Sequence, residues 1–402
     1  MIVRFGFVAM SVTLQNASPS RTMTYASFSK LEDRAAAIRK LERLTAENLH
    51  NALRVLRHAY AHDIRLYRFS SKIIPLATHD ALAGWDPYAA DVVQEGFREV
   101  GRFVREKGIR ASFHPDHFCV LNTPKSEVFA KSVDDLNYHV RMLEAMELGE
   151  TAKCNLHVGG AYGDKDDAGE RFVRQFEGLD ARYRHRITLE NDDKTFTAAE
   201  TLAVAEGAGV PMVLDIHHHA VNDGGLTEDK LLAQLWPRIV ASWVREEMRL
   251  AEAARAGDPS GGERAAGDGP VPEAGRTDDP SDGERAAGDG LAPETGRTDD
   301  PSGRERAAIA GPARPGDVLP PKVHASSPKP GRDPKAHADH VEPAPLLRFL
   351  RGAAGSCPRL DVMIEAKRKD EALFRLMDDL RDAAKRGEGV RIVDDATLEI
   401  TE

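Results

Sequence analysis

Short runs of apolar residues recur along the chain, and segments with helical spacing of apolar positions separate them. Eight runs have the length of buried strands and lie at residues 2–7, 64–69, 109–113, 153–158, 186–189, 210–216, 321–323 and 360–364. The helical spacing is clear at residues 46–60, 92–106, 133–147, 198–206 and 371–384, with Thr45 and Thr197 as candidate N-caps. Eight strand-then-helix units in one chain predict an α/β fold, a (β/α)8 TIM barrel.

An open, doubly wound sheet is the alternative that the same pattern allows. In its nucleotide-binding form, such a sheet carries a glycine-rich turn directly after the first strand. The residues that follow the first run, "VAMSVTLQN" at positions 8–16, contain no glycine. The barrel is therefore the favoured fold.

One long segment differs from the rest in composition. Residues 255–317 are dominated by Gly, Pro, Ala, Asp, Glu and Arg, and "GERAAGDGPVPEAGRTDDPS" at 262–281 recurs as "GERAAGDGLAPETGRTDDPS" at 283–302. Such a segment has too few large apolar side chains to offset the entropy of ordering. We predict a disordered, low-complexity insertion between the sixth helix and the seventh strand, within a single barrel domain formed by residues 1–254 and 318–402.

Charge and cysteine content restrict the function classes. The whole chain has a formal net charge of −10, of which the 14 acids and 8 bases of residues 255–317 contribute −6. The remaining −4 gives no sign of the basic face that nucleic-acid binders usually present, unless bound cations change the balance. Three well-separated cysteines (Cys119, Cys154 and Cys357) indicate buried thiols in a reducing cytosol, and no apolar run is long enough to span a membrane.

Metal-binding side chains lie at the ends of six predicted strands. These residues are His114, His157, Glu190, Asp215, His324 and Glu365. In a barrel, the carboxyl ends of the strands converge on one mouth. A single histidine at a strand end is more often a hydrogen-bonded loop residue, but six such endings favour a multinuclear divalent-metal site with one bridging carboxylate.

The stretch "VLDIHHHAV" at 213–221 is ambiguous by itself. Strand alternation would place His217 on the same face as Asp215, whereas His218 and His219 lie where the chain should already be turning.

Eight ordered motifs together resemble the UV damage endonuclease family, which is related to the endonuclease IV type of barrel. They are "VRFGF", "LYRFSSKIIPLATH", "SFHPDHF", "HVGGAYGDKD", "TLENDDKT", "DIHHHA", "PKVHASSPK" and "MIEAKRKD", running from residue 2 to about residue 379 with only the insertion between them. The resemblance implies a metal-dependent DNA repair nuclease that excises damage by nicking the strand 5′ to UV photoproducts. It also implies damaged double-stranded DNA as partner, no obligate protein partner, and a cytoplasmic, nucleoid-associated location.

The resemblance further implies three divalent ions, manganese by preference. His114, His157 and Glu190 would hold the first ion. Bridging Glu190 would hold the second together with Asp215, His324 and Glu365. His218 and His337 would bind the third, leaving His217 and His219 in supporting roles.

Two more residues acquire catalytic roles from the resemblance. Lys322 matches a lysine that is chemically modified in the family, so a carboxylated side chain is expected, and His79 matches a histidine near the substrate phosphate.

Damage recognition in the family uses a glutamine and an aromatic residue after the "HP" pair, and an aromatic residue at the end of the first strand. This chain has Phe118 and Phe7 at the aromatic positions, but His117 where glutamine is expected. An imidazole cannot present the paired donor and acceptor of an amide. Recognition should therefore depend on stacking more than on reading base edges.

Two rival function classes use the same kind of residues. A metal-dependent sugar isomerase or a general abasic-site endonuclease can be built on this barrel, and a non-catalytic damage-binding protein could retain it. The predicted third-ion residues His218 and His337 favour the nuclease, and the complete ligand set disfavours a binding-only protein.

Overall fold

The eight apolar runs form eight parallel strands of a closed barrel in the computed structural model, which describes residues 1–256, 319–331 and 333–401. Each strand pairs with the next, and β1 pairs with both β8 and β2. The strands are β1 Ile2–Val8, β2 Leu66–Arg68, β3 Arg110–Phe113, β4 Lys153–His157, β5 Ile187–Glu190, β6 Met212–Asp215, β7 Lys322–Ala325 and β8 Arg359–Ile364. The predicted TIM barrel is confirmed, and the open sheet is excluded by the β1–β2 pairing.

Closure depends on a close approach between the first two strands. A Cβ atom at Gly6 would lie 2.1 Å from the carbonyl oxygen of Leu66, which no side chain tolerates. Only glycine lets the β1 backbone come this near to β2.

Helices cover the outside of the barrel. They are α1 Tyr25–Phe28, α2 Arg34–Ala61, α3 Asp91–Glu106, α4 Ser126–Ala145, α5 Lys165–Glu177, α6 Ala181–Arg184, α7 Ala198–Ala208, α8 Ile216–Val221, α9 Glu228–Lys230, α10 Trp236–Ala256, α11 Pro343–Ala353 and α12 Lys369–Lys385. Their apolar faces pack with the strands into one large core cluster, and all three cysteines are buried as free thiols, as predicted.

One predicted helix cap is confirmed and the other is wrong. Thr197 and Glu200 form a reciprocal capping box at the start of α7. Thr45 instead lies inside α2, where its hydroxyl donates to the carbonyl of Leu41 (3.0 Å), and the true cap is Asp33. Ile38, Leu41 and Leu44 already have helical spacing before residue 45, so the predicted start of the helix at residue 46 is too late.

The sequence did not predict a terminal hairpin. Strands β9 Val390–Asp394 and β10 Thr397–Ile400 pair antiparallel with each other, and β10 pairs antiparallel with β1. The predicted insertion falls outside the described residues except for Arg255 and Ala256, which belong to α10 and are not disordered. No helix in the described ranges is long and apolar enough to cross a membrane.

A buried ion-pair network lies between β1, β3 and β8. Asp361, fully buried, accepts two hydrogen bonds from Arg4 (2.8 Å each) and one from Arg110 (2.7 Å). Burial raises the pKa of Asp361, but the two guanidinium groups outweigh burial and hold that pKa below its usual value.

We expect Asp361→Asn to lower the free energy of unfolding by about 3 kcal/mol at pH 7, because the variant leaves buried Arg110 without its counter-charge. A depressed folded-state pKa stabilises the protein above the unfolded pKa of about 4, and this stabilisation is lost as pH falls through the folded value. Urea unfolding at pH 7 and pH 3 should therefore show a difference that shrinks in acid. Exposed Asp378, replaced by Asn, is the control. Equal stabilities of Asp361→Asn and wild type at pH 7 would contradict the assigned role.

Candidate metal centre

Strand register brings the predicted ligands together in pairs. His157 lies opposite Glu190 across the β4–β5 ladder, and Asp215 lies opposite His324 across the β6–β7 ladder. Glu365 follows β8 directly, and its backbone N–H donates to the carbonyl of Ala325 (2.9 Å). All five residues thus lie at or directly after the carboxyl ends of their strands. In TIM barrels, active sites form at this end of the barrel.

The ligand atoms form two groups that share one carboxylate. One group is His114, His157 and Glu190, and the other is Glu190, Asp215, His324 and Glu365. Within each group the donor atoms lie within 4.8 Å of one another. These are the two sets that the sequence analysis assigned to the first and second ions, with Glu190 at the bridging position.

Four histidines at this mouth have their ring orientation fixed by backbone carbonyls. The Nδ1 atoms of His114, His157, His218 and His337 lie 2.9, 3.3, 3.0 and 2.8 Å from the carbonyl oxygens of Pro115, Glu190, Asn191 and Glu365. A carbonyl can only accept, so each Nδ1 carries the proton. In the neutral form of each ring, Nε2 is then the nitrogen that carries the lone pair, the arrangement that metal-ligating histidines use.

Several buried polar atoms converge without making hydrogen bonds. They include Glu190 Oε1, Asp215 Oδ2 and both ring nitrogens of His324. The Nδ1 atom of His324 lies 3.1 Å from Glu190 Oε1 and 2.9 Å from Glu365 Oε1, but without the angles of a hydrogen bond. Buried donor atoms aimed at a common point and left unsatisfied by the protein fit divalent cations as their partners.

The carboxylates of the two ligand groups concentrate negative charge in a buried part of the barrel mouth. Burial lowers the pKa of His218, but the charges of Asp215 and Glu190 outweigh it and raise that pKa to about 9. Burial raises the pKa of Asp215 to about 6, and neighbouring Glu190 adds to the shift against the opposing effect of His218. Such a concentration of negative charge is costly unless cations compensate it.

The "DIHHH" stretch departs from the predicted strand. Strand β6 ends at Asp215, and α8 begins at the next residue, with the Asp215 side chain accepting from the backbone N–H of His218 (2.7 Å). The predicted alternation of Asp215 and His217 on one strand face is therefore wrong, because the chain changes from strand to helix directly after Asp215. His218 faces the centre, with Nδ1 3.5 Å from Glu190 Oε1, whereas His217 and His219 are buried beside it.

The loop after β7 returns His337 to the centre. Lys329 donates to Ala336 (2.7 Å) and Ala338 to Ser327 (2.7 Å), so the loop folds back on itself. The His337 ring lies 6.0 Å from that of His218 and 5.2 Å from that of His217, measured between centroids. The two residues predicted for a third ion are thus neighbours, although among the described residues they belong to neither group of three or more ligands.

The two other residues with predicted catalytic roles lie in different surroundings. Lys322, fully enclosed in the barrel, donates to Ser112 Oγ (2.9 Å), and burial together with Arg110 lowers its pKa to about 7. His79 caps a short turn after β2, accepts from the N–H of Ala81 (3.2 Å), and stacks on Tyr25 at 4.2 Å between ring centroids. Neither residue belongs to the two ligand groups.

Residues predicted to contact DNA differ sharply in exposure. Phe118 is 73% exposed at the tip of the β3 loop, and its ring lies 4.0 Å from that of His117. Phe7 is fully buried and packs edge-on against Tyr67 at 5.6 Å. A DNA contact by Phe7 is therefore not supported, because β1 directs this side chain into the core.

Two cavities open beside the ligands, and His117 borders both. We call the first the catalytic groove: about 720 Å³, reaching from Met10 and Lys72 to Glu190 and Glu365. The second groove, about 490 Å³, lies between the loops after β3, β4 and β5. His157 and His218 line both grooves.

Sequence reasoning missed the residues that hold the ligands in place. Fully buried Asn191 accepts from the N–H of Asp215 (2.9 Å) and donates to its carbonyl (3.0 Å). Asn155 donates to Glu190 and accepts from Thr188 (2.8 Å). An asparagine in the interior of a predicted strand was the available signal, since such a residue must satisfy its amide with specific partners.

Comparison with known proteins gives one consistent result. The family described as UV-endonuclease UvdE matches residues 3–255 and 313–392. The chain is 36% identical over 381 residues to a UV DNA damage endonuclease of Halalkalibacterium halodurans, and 37% identical over 381 residues to one of Bacillus pumilus, covering 94% of each chain. The crystal structure of SacUVDE superposes with a TM-score of 0.66 at 22% identity, covering 95% of this chain and 99% of that one, and shows the same fold.

Proposed function

The chain belongs to the UV-endonuclease UvdE family, and from this premise we propose that it is a UV damage endonuclease. It nicks double-stranded DNA on the 5′ side of photoproducts by metal-assisted hydrolysis of a phosphodiester bond. The feature that carries the proposal is the pair of ligand groups joined by Glu190 at the barrel mouth. This arrangement suits ions that act together on one phosphate.

We propose three divalent ions, with Mn2+ preferred. The mixed imidazole and carboxylate donors suit a first-row divalent ion better than a purely oxygen-liganded one. His114, His157 and Glu190 hold one ion, and Glu190, Asp215, His324 and Glu365 hold the next. His218 and His337 hold the third, each through Nε2 because Nδ1 is committed to a carbonyl. When bound, the ions supply an activated water and neutralise charge on the phosphate oxygens.

The protein's own groups fix the geometry of that chemistry. Asn155 orients Glu190, Asn191 holds the backbone of Asp215, and the N–H of His218 donates to the Asp215 carboxylate. Lys72 and Lys369 border the catalytic groove and place positive charge where the DNA backbone enters. Lys322, with an amine that is partly neutral near pH 7, is the proposed site of carboxylation, and His79 is proposed to contact a substrate phosphate from the β2 loop.

The shape of the mouth favours DNA over a small sugar as substrate. A sugar isomerase encloses its substrate, whereas here the ligands lie at the base of an open groove of about 720 Å³. The exposed ring of Phe118 lies 4.0 Å from that of His117, which borders this groove, and it is free to stack on a partner. A duplex with unstacked bases provides such a partner.

The discriminating experiment uses three duplexes with purified protein and Mn2+. One duplex carries a single photoproduct, one a single abasic site, and one is undamaged. We expect a nick 5′ to the photoproduct that leaves a 3′-hydroxyl, mapped on a sequencing gel. Cutting of the abasic duplex alone would instead assign a general abasic-site endonuclease.

We expect Phe118→Ala to reduce the nicking rate on photoproduct DNA by ~10- to 100-fold, because stacking against an unstacked base is lost. His117→Ala should lower the rate by much less, and His117→Gln should be tolerated. Single-turnover nicking of one photoproduct duplex provides the measurement, with Phe118→Tyr as the ring-retaining control. A dominant loss from His117→Ala, with Phe118→Ala near wild type, would show that the histidine makes a specific contact instead.

A further inference from the structure

The second groove has no role in the proposed catalytic arrangement, although it touches the metal centre. Its walls are the loops after β3, β4 and β5, and two proposed ligands, His157 and His218, separate it from the catalytic groove. A volume of about 490 Å³ lies in the range of sites that bind small planar ligands. Whatever enters it lies beside the reacting phosphate.

Tyr162 is the aromatic side chain of this groove, and its conformation is unusual. It is 47% exposed, and its backbone φ of 50° lies in the left-handed region, which a bulky residue rarely adopts. A large apolar ring is thus held towards solvent by a strained backbone. Strain of this kind tends to occur where it serves function.

The ring of Tyr162 is supported from behind. A Cβ atom at Gly160 would lie 3.0 Å from the ring, so the ring rests on the bare glycine backbone. The guanidinium carbon of Arg171 lies 5.5 Å from the ring centroid. Arg171 itself is fixed by Asp167 (2.6 Å) and by the carbonyl of Asn122 (2.8 Å).

Buried Asn122 completes this support. It donates to the carbonyl of Gly160 (2.8 Å), which fixes the loop on which the ring rests. A Cβ atom at neighbouring Gly159 would lie 2.3 Å from the Asn122 side-chain oxygen, so only glycine fits there. The ring of Tyr162 is therefore held by contacts with Gly160 and Arg171, while the residue remains 47% exposed and can meet a stacking partner.

The charge of the groove selects what can stack there. Its lining contains three carboxylates, Asp116, Asp192 and Asp193, and one ammonium, Lys194. The excess of two acidic over basic side chains disfavours the binding of a phosphate group in this groove. The Asp192 carboxylate already accepts hydrogen bonds from three backbone N–H groups of its own loop, which leaves Asp116 and Asp193 to accept from the amino and ring N–H groups of a nucleobase edge.

We propose that Tyr162 is a substrate-contacting residue on which a nucleobase displaced from the duplex stacks within the second groove. The inference rests on the proposed function for its substrate, because a displaced base arises when a damaged duplex is engaged. Stacking there holds the neighbouring phosphate at His157 and His218. Tyr162 acts in specificity for distorted DNA and not in the hydrolytic step itself.

The test compares Tyr162→Leu, Tyr162→Phe and a matched Tyr183→Leu. Tyr183 also has an arginine over its ring, Arg182 at 4.9 Å, but lies on α6 and lines neither groove. Two quantities are measured: kcat/KM for a photoproduct duplex with Mn2+, and the fluorescence of 2-aminopurine beside the photoproduct in the complex without divalent ions. Thermal unfolding and bound metal are followed for every variant.

We expect Tyr162→Leu to lower kcat/KM by ~10- to 100-fold and to remove most of the change in 2-aminopurine fluorescence on binding. Tyr162→Phe should stay within about threefold of wild type because stacking needs the ring and not the hydroxyl. Tyr183→Leu should leave both quantities unchanged. If Tyr162→Leu lowers the unfolding temperature, Gly160→Ala replaces it, since the added methyl displaces the same ring.

Wild-type values for Tyr162→Leu in both measurements would overturn the inference. Equal losses in Tyr162→Phe and Tyr162→Leu would also overturn it, because the hydroxyl would then be the active group. A wild-type protein that nicks no damaged duplex contradicts the proposed function instead. In that case the fluorescence of the metal-free complex still decides the role of Tyr162.

Discussion

Glu190→Gln is expected to reduce the nicking of photoproduct DNA by about 10³-fold or more, the largest effect of any single substitution in this chain. Among the residues that the structure describes, Glu190 alone belongs to both ligand groups, and it is 1% exposed. Glutamine keeps the size of the side chain but removes the anion that joins the two sites. The measurement is single-turnover nicking together with the metal content of the purified variant.

Glu95→Gln is the matched control, because Glu95 lies on the outer helix α3 and pairs only locally with Arg98 (2.9 Å). It should cut at the wild-type rate. The unfolding temperature of Glu190→Gln also needs to be followed, since Asn155 and His114 both contact this side chain. Near-normal cutting by Glu190→Gln with unchanged metal content would refute the bridging role.

Removal of divalent ions with a chelator is expected to abolish nicking completely and to lower the unfolding temperature. Without cations, the buried carboxylates of Glu190, Asp215 and Glu365 repel one another within 4.8 Å. Ions that bind the folded state alone stabilise it by about 2.7 kcal/mol at a concentration 100 times their dissociation constant. The readouts are nicking and thermal unfolding before chelation, after it, and after titration with Mn2+, Mg2+ or Zn2+.

Recovery on adding Mn2+ should appear in both readouts over the same concentration range. The Asp378→Asn variant provides the control for stability, because this exposed residue of α12 pairs with Arg381, and its unfolding temperature should respond to Mn2+ as the wild type does. Full nicking by a protein whose metal content has been shown to be negligible would rule out the metal-assisted mechanism.

The sequence by itself determined the barrel and the strand-end positions of most candidate metal ligands. The eight apolar runs are strands because a parallel sheet covered by helices on its outer face requires short, continuous apolar segments. Polar residues at the carboxyl end of such a segment reach the barrel mouth. The sequence therefore predicted that His114, His157 and Glu190 lie there together.

The residues at which strands and helices end were harder to predict, because the spacing of apolar side chains does not mark where a strand becomes a helix. The Asp215 side chain caps α8 by accepting a hydrogen bond from the His218 N–H, and the strand ends two residues earlier than alternation through His217 predicted. The hairpin of β9 and β10 was missed because its stability comes from pairing with β1, a partner almost 400 residues away in sequence.

Only the tertiary structure decided which neighbouring side chains act together. Phe7 and Phe118 are equally apolar in sequence, yet one is enclosed by the core and the other is exposed beside two grooves. Asn191 and Tyr162 carry no signal in a single sequence, because their roles depend on contacts between loops from different strands. Sequence pattern sets which face of an element is buried, but the closure of the barrel sets which loops meet, and that meeting creates the metal centre and the second groove.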